Sequence, residues 1–316
     1  MCIVSALYKK FVVTRYDGDG IIKYYTYEDF SGLQAEPITF TTPQGIELKG
    51  NVYSYPGADE GALVVFAHGI GGGHRSYLRE IERICRAGYR VAGYDNCGCF
   101  ASGGKNIRGL TESLNDLVAC IAWLRGQEKF AKAKISVIGH SWGGYAAANV
   151  LNYRKDIHAV VPISAFVSVK EFLNAFLTGK MRFMRRGVYR FERRANPDFV
   201  DSNAVDAVND TGAKVLFVHS RDDGMVSISV GLDYVRDRVD NPKVRFLELD
   251  GKKHNPHYTA DAVDYMNSRF GEYNRLVAEK KLKTDDEKRA FCADFDYWRM
   301  TEQDDEVWSA ILDCIK

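Results

Sequence analysis

Five short apolar runs recur through the middle of this chain without the alternation expected of a strand that has one wet face. ALVVFAHG begins at Ala62, RVAGYDN at Arg90, KISVIGHS at Lys134, AVVPISAF at Ala159 and KVLFVHS at Lys214. A strand reads this way when both of its faces are covered, because crossover helices bury the two sides of a parallel sheet. Helical periodicity fills the gaps. HRSYLREIERICRAG sets Leu78, Ile81 and Cys85 on one stripe, and TESLNDLVACIAWLRGQ does the same with Leu114, Leu117, Val118, Ile121 and Leu124. A hairpin pattern on either side of Pro-Gln-Gly at 35–56 precedes them, a helix is expected at 227–239, and VRFLELDG at 244–251 is the last strand. The order predicts an α/β fold, a mostly parallel central sheet flanked by helices.

Two stretches depart from the alternation. Residues 167–212 carry more helix-like material than one crossover needs, so they are expected to form a small helical cap inserted in a single domain spanning 1–316. Residues 270–316 hold Phe291, Phe295, Tyr297, Trp298 and Trp308 among acids, which predicts a helical extension packed on the body.

Composition excludes several classes. A net charge of +1, from 43 basic and 42 acidic residues, offers no basic field, and nucleic acid is not expected as a partner. No window approaches the ~20 apolar residues a spanning helix requires, and no secretory leader is evident, which predicts a cytoplasmic protein without stable membrane insertion. Met1–Leu7 is read as a first strand or a frayed end, with weak membrane contact as the rival. Seven scattered cysteines suit a reducing compartment. Cys97 and Cys99 lack the Cys-x2-Cys spacing and second ligand pair of a structural zinc site, so neither metal nor cofactor is expected. A homodimer is left open.

The chemistry gathers at the strand ends. In Gly139-His-Ser-Trp-Gly-Gly144 the chain must reverse between a buried strand and an Ala-rich helix. Small residues are needed there, and Ser141 is lifted out of the turn in front of a helix N-terminus. A serine hydroxyl is a weak nucleophile until a base takes its proton. His140 is adjacent in sequence and would point away, whereas His254 lies just beyond the last strand, with His257 in reserve. Asp222 and Asp223 in FVHSRDDGMVS are the candidate acids that would orient it. FAHGIGGGHRS is a glycine-rich loop whose backbone N–H of Ile70 would join that of Trp142 as donors to an oxyanion. It lacks the Lys-Ser or Lys-Thr and the G-x-G-x-x-G spacing of nucleotide loops.

Taken together, HGIGGG, GHSWGG, HSRDDGMVS and GKKHNP resemble the α/β-hydrolase superfamily across roughly residues 35–270, in particular its lysophospholipase, serine aminopeptidase and prolyl-oligopeptidase-like esterases. The resemblance implies a triad of Ser141, Asp223 and His254 in the family's chain order. It also selects Asp223 over Asp222, since Asp223 holds the fifth position of a turn pattern H-G-x-x-D-x-x-V that starts at His219 and ends at Val226. One departure concerns the loop after the second run, YDNCGCFASGG. It keeps Asp95, Gly98, Ser102 and Gly104 of D-x-R-G-x-G-x-S-x-G, but has Cys97 where relatives have Arg and Phe100 where they have Gly.

The resemblance implies a serine hydrolase acting through an acyl-enzyme, on a small ester or a short peptide. Carboxylic ester cleavage is the first expectation, a serine peptidase the second, and a non-catalytic binding protein the third. Gly71, Phe172, Phe176, Met181, Met184, Arg185 and Arg186 are the candidate pocket residues. The aromatic and Met residues would line an acyl slot or form the underside of a packed helix. The basic run from Lys180 to Arg194, broken only by Glu192, would be a solvated face, a partner for Asp285, Asp286 and Glu287, or a reader of anionic head groups.

Overall fold

The computed structural model describes residues 8–10, 12–18 and 20–316; Met1–Leu7, and with them Cys2, lie outside the described residues. Eight strands form one sheet in the order β1-β2-β4-β3-β5-β6-β7-β8. The hairpin is β1 (Gln34–Thr41) and β2 (Glu47–Ser54), paired antiparallel. β2 runs antiparallel to β4 (Arg90–Tyr94). From β4 onward every pairing is parallel, through β3 (Ala62–Ala67), β5 (Lys134–His140), β6 (Ile157–Ile163), β7 (Lys214–Ser220) and β8 (Val244–Leu249).

The unbroken apolar runs have the expected cause. Along β3, Leu63 and Val65 join one buried cluster with Leu114, Leu117 and Ile121, while Val64 and Phe66 join a second with Leu78, Ile81 and Ile84. Successive side chains enter opposite layers, and both layers are dry. Each fully buried Leu, Ile or Val contributes about 1.5–3 kcal/mol by leaving water. The helix Asp305–Ile315 closes the second layer with Trp308, Ile311 and Cys314.

Expectation and structure part at 227–239. A single helix is replaced by a 3-10 turn, Ile228–Val230, and a short helix, Leu232–Arg236, with the break at Gly231. A Cβ at Gly231 would stand 2.3 Å from the Ala165 carbonyl oxygen, so backbone from the β6 loop occupies the space a continuous helix would need. β8 is an edge strand, and Glu248 on it pairs with Arg221 and Arg236, a charged edge that discourages pairing with another chain. Residues 167–212 form the helices Val169–Phe176 and Arg185–Ala195, joined by a 3-10 segment, Gly179–Met184, and followed by a short helix, Ala204–Asn209. No helix among the described residues is long and apolar enough to cross a membrane.

Candidate active site

Ser141 sits where β5 meets the helix Trp142–Asn149, with φ 57° and ψ −113°. This is strained for a residue with a side chain, and it persists because the surroundings leave no alternative. A Cβ at Gly139 would lie 2.2 Å from the Gly143 carbonyl oxygen, and one at Gly143 would lie 2.0 Å from that of Ala67. Three backbone segments therefore touch beneath the serine.

His254 reaches Ser141 from the loop after β8. Its Nε2 accepts the Ser141 hydroxyl at 2.8 Å, and its Nδ1–H donates to Asp223 Oδ2 at 2.8 Å. The backbone N–H groups of Met225 and Val226 both donate to Asp223 Oδ1 at 2.9 Å. Burial alone would raise this carboxyl. Hydrogen bonds from His219 and His254, and that of the Val226 N–H, more than offset it and hold Asp223 well below the usual carboxylate range. Asp222 faces elsewhere, accepting from the Ser220 hydroxyl at 2.5 Å and the Lys253 N–H at 3.0 Å, and so braces the turn without meeting the imidazole.

Three neighbouring histidines, His140, His257 and His219, have partners of their own. His140 Nδ1 accepts from the Tyr77 hydroxyl at 2.8 Å while its Nε2–H donates to the His254 carbonyl at 2.7 Å. Burial, together with His254 and His257, pushes its imidazole well below the ordinary value, so it stays neutral. His257 donates through Nε2 to buried Glu80 at 3.2 Å. His219 lies 3.2 Å from Asp223 Oδ2, behind the acid.

A run of contacts joins the glycine loop to the histidine loop. The Gly69 N–H donates to Tyr77 Oη at 3.1 Å, Tyr77 donates to His140, His140 donates to the His254 carbonyl, and Ser164 Oγ donates to the same carbonyl at 3.0 Å. The C-terminal segment braces the far side: Lys252 Nζ bonds Asp304 at 2.5 Å, and the Trp308 indole donates to the His257 carbonyl at 3.1 Å. Tyr77, Ser164, Lys252 and Asp304 were not among the residues anticipated, and Trp308 was expected only to pack the tail on the body. Their partners lie 51 to 90 residues away in the chain in every case but Tyr77–Gly69, so no local motif announces them.

The altered loop after β4 is held in an unexpected way. Arg15 donates to the carbonyls of Phe100 at 2.6 Å, Ser102 at 3.0 Å and Gly104 at 2.7 Å. The N-terminal segment thus places a guanidinium against three carbonyls of this loop. Phe100 takes the glycine position with φ 40°, in the left-handed region. Cys97 and Cys99 are buried, and burial pushes both thiols up, away from the thiolate form that binds metal or reacts.

Ser141 opens into a cavity of about 550 Å³, lined by Ile70 and Trp142 on one side and by cap residues that include Phe172, Leu173, Phe176, Met181 and Met184. Among the described residues, the backbone N–H groups of Ile70 and Trp142 have no hydrogen-bond partner. Among the described residues, no ionisable acid or base other than tyrosine lines this space. Three of the anticipated pocket residues are elsewhere. Arg185 turns back to the preceding helix, donating to the carbonyls of Leu177 at 2.8 Å and Asn174 at 2.5 Å, where a cation caps a helix C-terminus. Arg186 is exposed outside the cavity, and Gly71 does not line it, although the Tyr16 ring, which does, stands 3.9 Å from where a Gly71 Cβ would be. The tail acids do not meet the cap arginines either. Asp285 pairs with Lys288, Asp286 with Arg289, and Glu287 caps its own helix through the Thr284 N–H.

Comparisons with known proteins agree with this architecture. The sequence model of a family described as serine aminopeptidase, S33, matches residues 58–206, which contain the glycine loop and Ser141 but not the Asp223 and His254 turns. No curated protein matches significantly. Among solved structures, an esterase from Pyrococcus furiosus superposes with TM-score 0.59 at 22% identity, covering 82% of this chain and 97% of its own. An acylaminoacyl peptidase from Pyrococcus horikoshii gives TM-score 0.56 at 17% identity, covering 72% of this chain and 39% of its own. A puromycin hydrolase gives 0.56 at 18% identity, covering 70% and 36%. With its eight-stranded, mostly parallel sheet and these structural neighbours, the chain has the α/β-hydrolase fold.

Proposed function

We propose that this protein is a serine hydrolase that cleaves carboxylic esters carrying an apolar acyl group. Ser141 attacks the ester carbonyl and passes its proton to His254. Asp223 keeps the imidazole Nδ1–H oriented and stabilises the imidazolium that forms. The backbone N–H groups of Ile70 and Trp142 take the oxyanion, an interaction for which losing one donor raises the barrier by ~3 kcal/mol. His254 returns the proton to the departing alcohol, and water then releases the acyl group from Ser141 by the same path.

The observation that carries the choice of ester is the cavity lining. An aminopeptidase must hold a substrate ammonium, which calls for a carboxylate near the nucleophile. The described residues around this cavity include no Asp or Glu, while Phe166, Phe172, Phe176, Leu173 and Met184 offer carbon surface. The deciding experiment compares p-nitrophenyl esters, from acetate to dodecanoate, with aminoacyl p-nitroanilides. Ester turnover that improves beyond acetate supports the proposal. Turnover confined to the anilides overturns it in favour of a peptidase.

A further inference from the structure

Glu192 is the one acid within the basic run of the cap, and it is fully buried on the helix Arg185–Ala195. Its carboxylate accepts from the Tyr8 hydroxyl, from the Leu110 N–H at 3.0 Å, and from the Thr111 N–H and hydroxyl at 3.4 Å each. Those amides open the 15-residue helix Glu112–Gly126, so the carboxylate lies at a helix N-terminus, where unpaired N–H groups and the helix dipole favour an anion. Gly109, with φ 141°, makes room for it: a Cβ there would stand 2.6 Å from Glu192 Oε2.

What these contacts hold is the wall of the acyl cavity. Tyr8, Leu110, Trp142 and Val188 all line it, whereas Glu192 does not. Tyr8 and Leu110 bond Glu192 directly, and Val188 precedes it by one helical turn. Trp142 is tied on through its indole N–H, which donates to the Leu110 carbonyl at 2.5 Å. Four wall residues from four separate stretches of chain thus depend on one carboxylate. An apolar contact would join the cap to the body at a lower desolvation cost, but it would not fix direction in the way that several converging donors do.

We propose that Glu192 is a positioning residue that determines acyl specificity, by holding these four side chains in the register that shapes the cavity. This rests on the acyl-ester reading above. The test is the chain-length profile of kcat/KM for p-nitrophenyl acetate, butyrate, octanoate and dodecanoate, measured on the full-length wild type, Glu192→Gln and Glu192→Ala, with Tm recorded for each. Because acetate scarcely uses the wall, its kcat/KM should fall by less than about threefold, while that of the preferred longer ester falls about tenfold or more, chiefly through KM. Glu192→Gln, which keeps shape and one acceptor oxygen, should lie between the wild type and Ala. An equal loss on every ester would mark Glu192 as merely structural and overturn the proposal, as would a profile unchanged in both variants. Should neither variant fold, Tyr8→Phe removes a single donor, and a profile identical to wild type would be equally damaging. Wild-type silence toward every ester would defeat the acyl reading itself, whereas a wild-type preference that survives in the variants defeats this inference alone.

Discussion

The floor and the roof of the candidate site are built on opposite principles. Beneath Ser141, backbone meets backbone at Gly139, Gly143 and Ala67, and each polar group of Asp223 and His140 has a named partner. Above it, the cap presents loosely packed carbon, with Phe176 58% and Met181 46% exposed, and it is fastened to the body through a buried carboxylate. A group that moves protons must be fixed to within a fraction of an ångström, whereas a surface that accepts an acyl chain needs only shape and dryness. On the proposed reading, the floor sets the reaction and the roof sets the substrate.

Substitutions in the floor should be the most damaging. Ser141→Ala should lower kcat/KM for the best ester by about 10,000-fold or more without loss of fold, checked by ester turnover and Tm. Asp223→Asn should cost about 1,000-fold or more, because an amide can present N–H to Nδ1 and so favours the wrong tautomer. Stability adds a sign to this second prediction. The Asp223 carboxyl is held below its ordinary range, so its contribution is present above the unfolded carboxylate value of about 4 and disappears as pH falls through the lowered folded value. The stability gap between wild type and Asp223→Asn in urea titrations should accordingly narrow below about pH 4; a gap that widens toward acid would contradict the assignment.

Gly143→Ala separates the two regions differently. A Cβ 2.0 Å from the Ala67 carbonyl forces backbone apart, and a destabilisation of at least about 2 kcal/mol is expected in denaturant titrations. The same exchange at Gly179, whose Cβ would meet nothing within 4 Å, removes no contact, and its cost should be limited to about 1 kcal/mol from its positive φ. Smaller again is the brace. Ser164→Ala removes one of two donors to the His254 carbonyl and should reduce kcat about tenfold or less, leaving KM for the ester nearly unchanged.

The difference between floor and roof also governs how much could be read from sequence. The sheet was legible because residues such as Val64 and Val65 in β3 must both be buried, and a run of apolar residues records that locally. The glycines at 139 and 143 recorded the close approach at the elbow in the same way. Arg15, Asp304, Trp308 and Glu192 carried no such local record. Each acts on a partner tens of residues distant, and a lone acid within an arginine-rich helix reads as an ordinary surface charge until the Leu110 and Thr111 amides are placed against it. Arg185 failed in the opposite direction, since its position in a basic run suggested a ligand while the carbonyls of Asn174 and Leu177 engage it locally. The break at Gly231 was hidden for the same reason, because the obstructing Ala165 carbonyl belongs to another strand's loop.

The central claim is that Ser141 is a nucleophile activated by His254. Treating the wild type and His254→Ala with a fluorophosphonate, then mapping the adduct by peptide mass spectrometry, tests it directly. The account predicts one adduct on the peptide containing Ser141 in the wild type, formed at least about 100-fold more slowly in His254→Ala. A wild type that never labels, an adduct on another residue, or equal labelling rates in the two proteins would contradict it.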